Sequence, residues 1–88
     1  MTFKEQLAEN IRNARIDAGI SQKNLAQMIG CGATSMSMYE HSKRMPNVMI
    51  MSMISGILGV SLDDLVPHVE PKRHDDPSQT DIFEILGE

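Results

Sequence analysis

Residues 21–42 read SQKNLAQMIGCGATSMSMYEHS, and this stretch decides the fold. Ser21 is a favourable N-cap for a short helix. The apolar residues that this helix turns inward recur at helical spacing and are Leu25, Ala26 and Ile29. Gly30 and the residues after it end the helix after about two turns, and another helix follows over residues 33–41. The inward residues of that helix are Met36 and Tyr39 or Glu40.

Two short helices joined by a tight, glycine-containing turn form a helix-turn-helix. Gly30 permits the positive backbone angle that such a turn needs. Ala26 is small where the two helices approach each other, and the Cys31 side chain has a size that fills the junction. In DNA-binding proteins the first of the two helices crosses the phosphate backbone and the second enters the major groove. The stretch therefore predicts DNA binding.

The segments on either side predict three more helices. Thr2 and Glu5 fit a capping box at the start of a first helix, and Gly19 is placed to end it. The apolar residues of this helix recur at helical spacing and are Phe3, Leu7, Ile11, Ala14 and Ala18.

After a proline-containing loop, Asn47 caps a fourth helix that runs to Leu58. Ser61 caps a short fifth helix. Its residues that point toward the core are Leu62 and Leu65. The sequence thus predicts an all-α fold of five helices.

Charge divides the 88 residues into two parts. Residues 1–62 carry six basic and four acidic residues, a net charge of +2, whereas residues 63–88 carry two basic and eight acidic residues, a net charge of −6. Salt screens the acidic part beyond about 8 Å, so the overall charge does not argue against nucleic acid. We predict a helical domain over residues 1–66, a Pro-rich linker over residues 67–80 and a short apolar terminal peptide over residues 81–88.

Several function classes lack support in the sequence. A chain this short leaves little room for the enclosed pocket of an enzyme. Cys31 is the single cysteine, which fits a reducing cytoplasm, and His41, His68 and His74 lack metal-ligand spacing. The N-terminus does not resemble a signal peptide, and the longest apolar-rich run, residues 48–58, is too short to cross a bilayer. We expect a cytoplasmic protein without catalytic residues, cofactor, metal or membrane segment.

The motifs together resemble those of a known family. The chain is similar to the lambda repressor and Cro class of phage and bacterial transcriptional regulators. The similarity lies in residues 21–30, in Tyr39-Glu40, in Pro46-Asn47 and in the final motif LGVSLDDL at residues 58–65. The resemblance covers about residues 3–66. It implies a five-helix lambda repressor-like domain that binds double-stranded DNA, usually as a homodimer on a palindromic operator.

The resemblance also implies residue roles. Gln22 would bind a phosphate at the start of helix two, and Lys23 joins it in the DNA-binding set. The residues that would face base edges are Ala33, Thr34, Ser37 and Met38. The residues that would meet the backbone beyond helix three are His41, Lys43 and Arg44. Arg15 and Glu40 match a structural pair that bridges helix one to helix three.

Two positions depart from the family pattern in the recognition helix. Relatives often carry Gln, Arg or Lys where this chain has Ala33 and Met38. The longer polar side chains make bidentate bonds that discriminate bases, whereas Ala33 and Met38 mainly contact thymine methyl groups. We therefore expect modest direct readout, with specificity that depends on DNA shape and on the spacing of a dimer.

Helix four departs from the pattern as well. Its outer positions carry Met49, Ile50 and Met53, while Ser52 and Ser55 stand where relatives have core residues. Either the helix is rotated in a loosely packed core, or a second subunit covers an apolar stripe. We favour a dimer or partner interface, because eight large apolar residues among eleven exceed what one buried face needs.

The terminal peptide regains four large apolar residues, Ile82, Phe83, Ile85 and Leu86. It is frayed, or it docks on the domain or on a dimer mate, or it binds another protein, and we rank docking first. The sequence as a whole predicts a sequence-specific transcriptional regulator, most simply a repressor that binds its operator as a dimer. The alternative is an antitoxin or anti-repressor whose residues 77–88 bind a protein partner.

Overall fold

Five α-helices make up the part of the chain that the structure, a computed structural model, describes, residues 1–68. They are α1 Phe3–Asp17, α2 Gln22–Ile29, α3 Ala33–Glu40, α4 Val48–Leu58 and α5 Leu62–Leu65. The predicted all-α, five-helix fold is therefore confirmed. Most of the predicted linker over residues 67–80 and the whole peptide over residues 81–88 lie outside the described residues.

The helices begin at the polar residues that the sequence indicates. Thr2 and Glu5 form a reciprocal capping box. The Glu5 amide donates to the Thr2 hydroxyl, with an N–O distance of 3.2 Å, and the Thr2 amide donates to the Glu5 carboxylate, with an N–O distance of 3.0 Å. The hydrogen bonds from Thr2 to the carboxylate lower the pKa of Glu5 below its ordinary value. Further caps, in which a side-chain oxygen accepts from an amide three residues on, are Ser21, Asn47 and Ser61. Each cap satisfies an amide that the helix leaves without a partner.

The end of α3 differs from the prediction by one residue. The helix ends at Glu40, and His41 is its C-cap. Ser42 follows in the left-handed region with φ of 57°, and the amides of Lys43 and Arg44 both donate to the Met38 carbonyl. This turn satisfies a carbonyl at the end of α3 without the glycine that usually occupies such a position.

The core combines side chains from all five helices. Leu7 and Ile11 belong to α1, which packs against α3, α4 and α5, and Leu65 of α5 joins the same core. The other buried apolar residues are Leu25, Ala26, Ile29, Met36, Tyr39, Met51, Ile54 and Leu58.

Three residues that were expected to face the core lie at the surface: Phe3, Ala18 and Leu62. Ala18 is exposed because it caps the end of α1. Phe3 and Leu62 line an apolar groove at the edge of the bundle and are only partly covered there.

Helix α4 buries only part of the apolar stripe that the sequence places on its outer side. Met49 is 66% exposed, whereas Ile50 and Met53 are half-buried and pack against the core. Ser52 is exposed, and the half-buried Ser55 donates its hydroxyl to the Val60 carbonyl.

No helix within residues 1–68 is long and apolar enough to span a membrane.

We expect Gly30→Ala to lower the free energy of unfolding by about 1 to 2 kcal/mol. Gly30 has φ of 87°, and a Cβ there would meet no atom within 4 Å, so the effect comes from the backbone alone. Gly56→Ala is the matched control, because a Cβ within α4 also meets nothing within 4 Å. It is expected to raise the free energy of unfolding by about 0.5 to 1 kcal/mol. Urea unfolding measures both variants, and changes of the same sign would contradict this account of the turn.

Candidate nucleic-acid interface

Helices α2 and α3 are joined by a three-residue turn. The amides of Gly30 and Cys31 both donate to the Ala26 carbonyl, at 2.9 and 3.0 Å, so the chain reverses directly after α2. Ala26 is buried, and the half-buried Cys31 packs against the core beside it. A small residue where the helices approach and a small side chain in the junction fix the angle between them. The geometry is that of a helix-turn-helix.

One face of α3 and the turn after it form an open concavity. It is lined by six of the nine residues predicted to contact DNA: Ala33, Thr34, Ser37, Met38, His41 and Lys43. The first five lie on one face of a helix because their spacing follows its period. Lys43 joins them because the left-handed turn at Ser42 brings the chain back over the end of α3.

The other three predicted residues do not line this concavity. Lys23 is exposed in the first turn of α2, and Arg44 is exposed with its guanidinium carbon 6.0 Å from the centre of the Tyr39 ring. Gln22 is half-buried, and its side-chain nitrogen lies 3.4 Å from an oxygen of Glu40. The resemblance did not indicate this contact between Gln22 and Glu40, since it joins residues on different helices.

Arg15 and Glu40 form a bidentate ion pair between α1 and α3. The Nε and Nη2 atoms of Arg15 donate to the two carboxylate oxygens at 2.7 and 3.0 Å. Nη1 donates to the Ile20 carbonyl at 2.9 Å, in the loop that precedes α2. Glu40 is only 1% exposed. Because a single guanidinium of α1 contacts both α3 and the loop that precedes α2, the pair is placed to hold both helices of the motif against α1.

The ring of His41 is anchored to the backbone of its own helix. Its Nδ1 lies 2.7 Å from the Ser37 carbonyl oxygen and 3.3 Å from the Ser37 hydroxyl. A carbonyl only accepts hydrogen bonds, so Nδ1 carries a proton in this arrangement.

The chain segment that contains α2, α3 and α4 is basic. Between residues 18 and 62 the one acidic residue is Glu40, which is buried and neutralised by Arg15. The same segment exposes three basic side chains, Lys23, Lys43 and Arg44. No group of three or more His, Cys, Asp and Glu side chains within residues 1–68 is placed to hold a metal ion. The surface is therefore suited to phosphates.

Comparison with known proteins gives concordant results. A family model described as helix-turn-helix matches residues 11–65. Over 80 residues the chain is 30% identical to YonR, an uncharacterized HTH-type transcriptional regulator derived from the SPbeta prophage of Bacillus subtilis strain 168. This match covers 91% of the chain and 68% of YonR.

Solved structures share the fold at lower identity. The clp gene regulator ClgR from Corynebacterium glutamicum matches with a TM-score of 0.70 and 22% identity, over 74% of this chain and 69% of ClgR. FeII HppE matches with a TM-score of 0.71 and 20% identity, over 85% of this chain but 40% of that protein. At these identities the likeness concerns the fold alone.

Proposed function

Because the chain belongs to the helix-turn-helix family of the lambda repressor and Cro type, we propose that it is a transcriptional repressor that binds a palindromic operator as a dimer. Occupation of the operator by the dimer blocks access of RNA polymerase to the promoter. The related YonR is a transcriptional regulator, and the proposal includes neither an enzymatic activity nor a cofactor.

The observation that carries the proposal is the concavity on α3. Thr34 and Ser37 contribute hydroxyl groups that bond either purines or pyrimidines, and Ala33 and Met38 contribute apolar contacts to thymine methyl groups. Lys23, Lys43 and Arg44 flank this surface with positive charge and meet phosphates on either side of the major groove. Gln22 binds a further phosphate at the N-terminus of α2, where the backbone amides favour an anion.

The dimer proposal rests on α4. This helix has no charged residue, yet it exposes Val48 and Met49, at 81% and 66%. Ser52 lies one turn further along the exposed side and is small enough for close approach of a second helix. To bind a palindromic operator, a two-fold dimer through this face has to place its two recognition helices on successive turns of the major groove, about 34 to 36 Å apart.

We expect the substitution Met38→Gln to change which sequence is bound. A glutamine makes a bidentate bond to adenine, which is worth about 1 to 3 kcal/mol of discrimination at one position of each half-site. Thr34→Ala is expected to relax the preference at another position. Fluorescence anisotropy with a panel of duplexes that differ in single base pairs measures both effects.

The matched control is Gln22→Ala, which removes a proposed phosphate contact. It is expected to weaken binding to every duplex of the panel by a similar factor, because phosphates carry no base identity. Identical sequence profiles for Met38→Gln, Thr34→Ala and the unsubstituted protein would overturn the assignment of α3 as the recognition helix.

A further inference from the structure

An apolar groove runs along the edge of the bundle where α1, α4 and α5 meet. Its walls include Phe3, Met45, Val48, Leu62 and Val66, and Met51 of the core lies beneath them. The five wall residues are all exposed, although each is a large hydrophobic side chain. A contiguous exposed apolar surface of this kind is typical of a binding site for another apolar segment.

The chain itself supplies an apolar segment within reach of the groove. Residues 82–86 read IFEIL and contain four large apolar side chains. The groove includes Val66, so residues 67–81 are the tether between the two. Fifteen residues reach about 50 Å at full extension, which exceeds the length of the groove's edge of the bundle. Such a tether maintains the segment near the groove at an effective concentration in the millimolar range.

The groove has a size and surroundings that fit this segment. Its volume of about 220 Å³ exceeds the roughly 150 Å³ of apolar space that holds a benzene ring in an engineered cavity. The ring of Phe83 therefore fits with room for part of an aliphatic neighbour. Lys4 and Arg44 flank the wall residues Phe3 and Met45 in sequence, and their charge complements the acidic Glu84 of the segment and Asp81 directly before it. On the other side, the acidic residues Asp63 and Asp64 follow the wall residue Leu62.

We propose that residues 82–86 of this chain dock in the groove between α1, α4 and α5, with Phe83 as the anchoring side chain. The docked segment covers apolar surface that the five helices leave open. It also ties an acidic part of the chain to the edge of the DNA-binding domain. The site lies apart from the concavity on α3, and it shares no lining residue with it.

Methionine methyl resonances of the full chain test the proposal, because methionines occur both inside and outside the groove. In a sample labelled with ¹³C at the methionine methyl groups, Phe83→Leu is expected to shift the signals of Met45 and Met51, since a nearby aromatic ring is lost. The signals of Met28 and Met36, which do not line the groove, are expected to stay in place. Unchanged Met45 and Met51 signals would overturn the proposal. Shifts that depend on protein concentration would assign the groove to a second copy and overturn it as well.

Proteolysis of the full chain gives a second, independent test. Met45→Arg places a charge on the wall of the groove, away from the proposed dimer face, at a side chain that is 45% exposed. Chymotrypsin cleavage after Phe83, followed by mass spectrometry, is expected to accelerate several-fold in this variant, because cleavage follows the undocked population. Met28→Arg, an equally drastic change at a site that is 55% exposed, is the control and should leave the rate unchanged. Equal rates in the two variants would contradict docking.

Discussion

Arg15→Met is expected to lower the free energy of unfolding by about 3 to 5 kcal/mol, because it leaves the carboxylate of Glu40 buried without its partner. Glu40 is 1% exposed, and in the variant its remaining side-chain contact is the long one from Gln22, at 3.4 Å. The Ile20 carbonyl loses its hydrogen bond at the same time. A helical domain of this size has a total stability of about 3 to 10 kcal/mol, so the variant should be close to unfolded at room temperature.

The double variant Arg15→Met with Glu40→Leu is the decisive control. Replacement of both charges by apolar side chains removes the desolvation penalty, so this protein should regain most of the lost stability. Arg15→Lys retains the charge but not the bidentate geometry, and we expect an intermediate value. Urea unfolding monitored by circular dichroism measures all three. A loss below about 1 kcal/mol for Arg15→Met, as at an exposed pair, would show that the ion pair does not hold α1 to α3.

Met49→Glu is expected to convert the proposed dimer to a monomer and to lower operator affinity by about 100-fold or more. The glutamate places two like charges across a two-fold interface that is otherwise uncharged, and the two recognition helices then bind independently. Sedimentation velocity at micromolar concentration measures the assembly, and anisotropy with a palindromic duplex measures the affinity.

Ile16→Glu is the matched control for this substitution. It introduces the same charge at an apolar side chain of similar exposure, 58% against 66%, but on α1. We expect it to leave the dimer intact and to reduce DNA affinity only slightly, through its charge. If both variants remain dimeric, or if both dissociate, α4 is not the dimer interface.

The sequence predicted the local structure well where the responsible residues are close in the chain. Each N-cap depends on an oxygen and an amide three residues apart, so Thr2, Ser21, Asn47 and Ser61 were sufficient to locate four helix starts. The end of α3 was one residue off because Ser42 adopts φ of 57°, a conformation that serine seldom takes.

Long-range packing was less accessible to sequence reasoning. Leu62 has the same spacing to Leu65 as a pair of core residues, yet it is 40% exposed and lines the groove together with Phe3 of α1. Similarly, the apolar pattern of α4 did not reveal that Ile50 and Met53 are half-covered by the core while Met49 is not. Periodicity gives the face of a helix, but the neighbouring helices determine how much of that face is covered.

The candidate DNA-binding surface depends both on spacing along one helix and on the packing between helices. The positions of Ala33, Thr34, Ser37, Met38 and His41 on one face follow from the helical period, and the structure does bring them together. The contact of Gln22 with Glu40 depends on how α2 and α3 cross, and no spacing in the sequence indicates it. That contact limits the proposed phosphate role of Gln22, because the same side-chain amide has to donate to Glu40 and to a phosphate.

Selection of the purified full chain against a pool of randomised DNA duplexes, at about 150 mM salt to suppress non-specific phosphate binding, tests the central claim most directly. We expect enrichment of a two-fold-symmetric site whose half-sites are centred about one helical turn apart, with tolerant positions where Ala33 and Met38 face the bases. A pool that remains random after selection, or one that yields a single asymmetric site, would contradict specific recognition by a dimer.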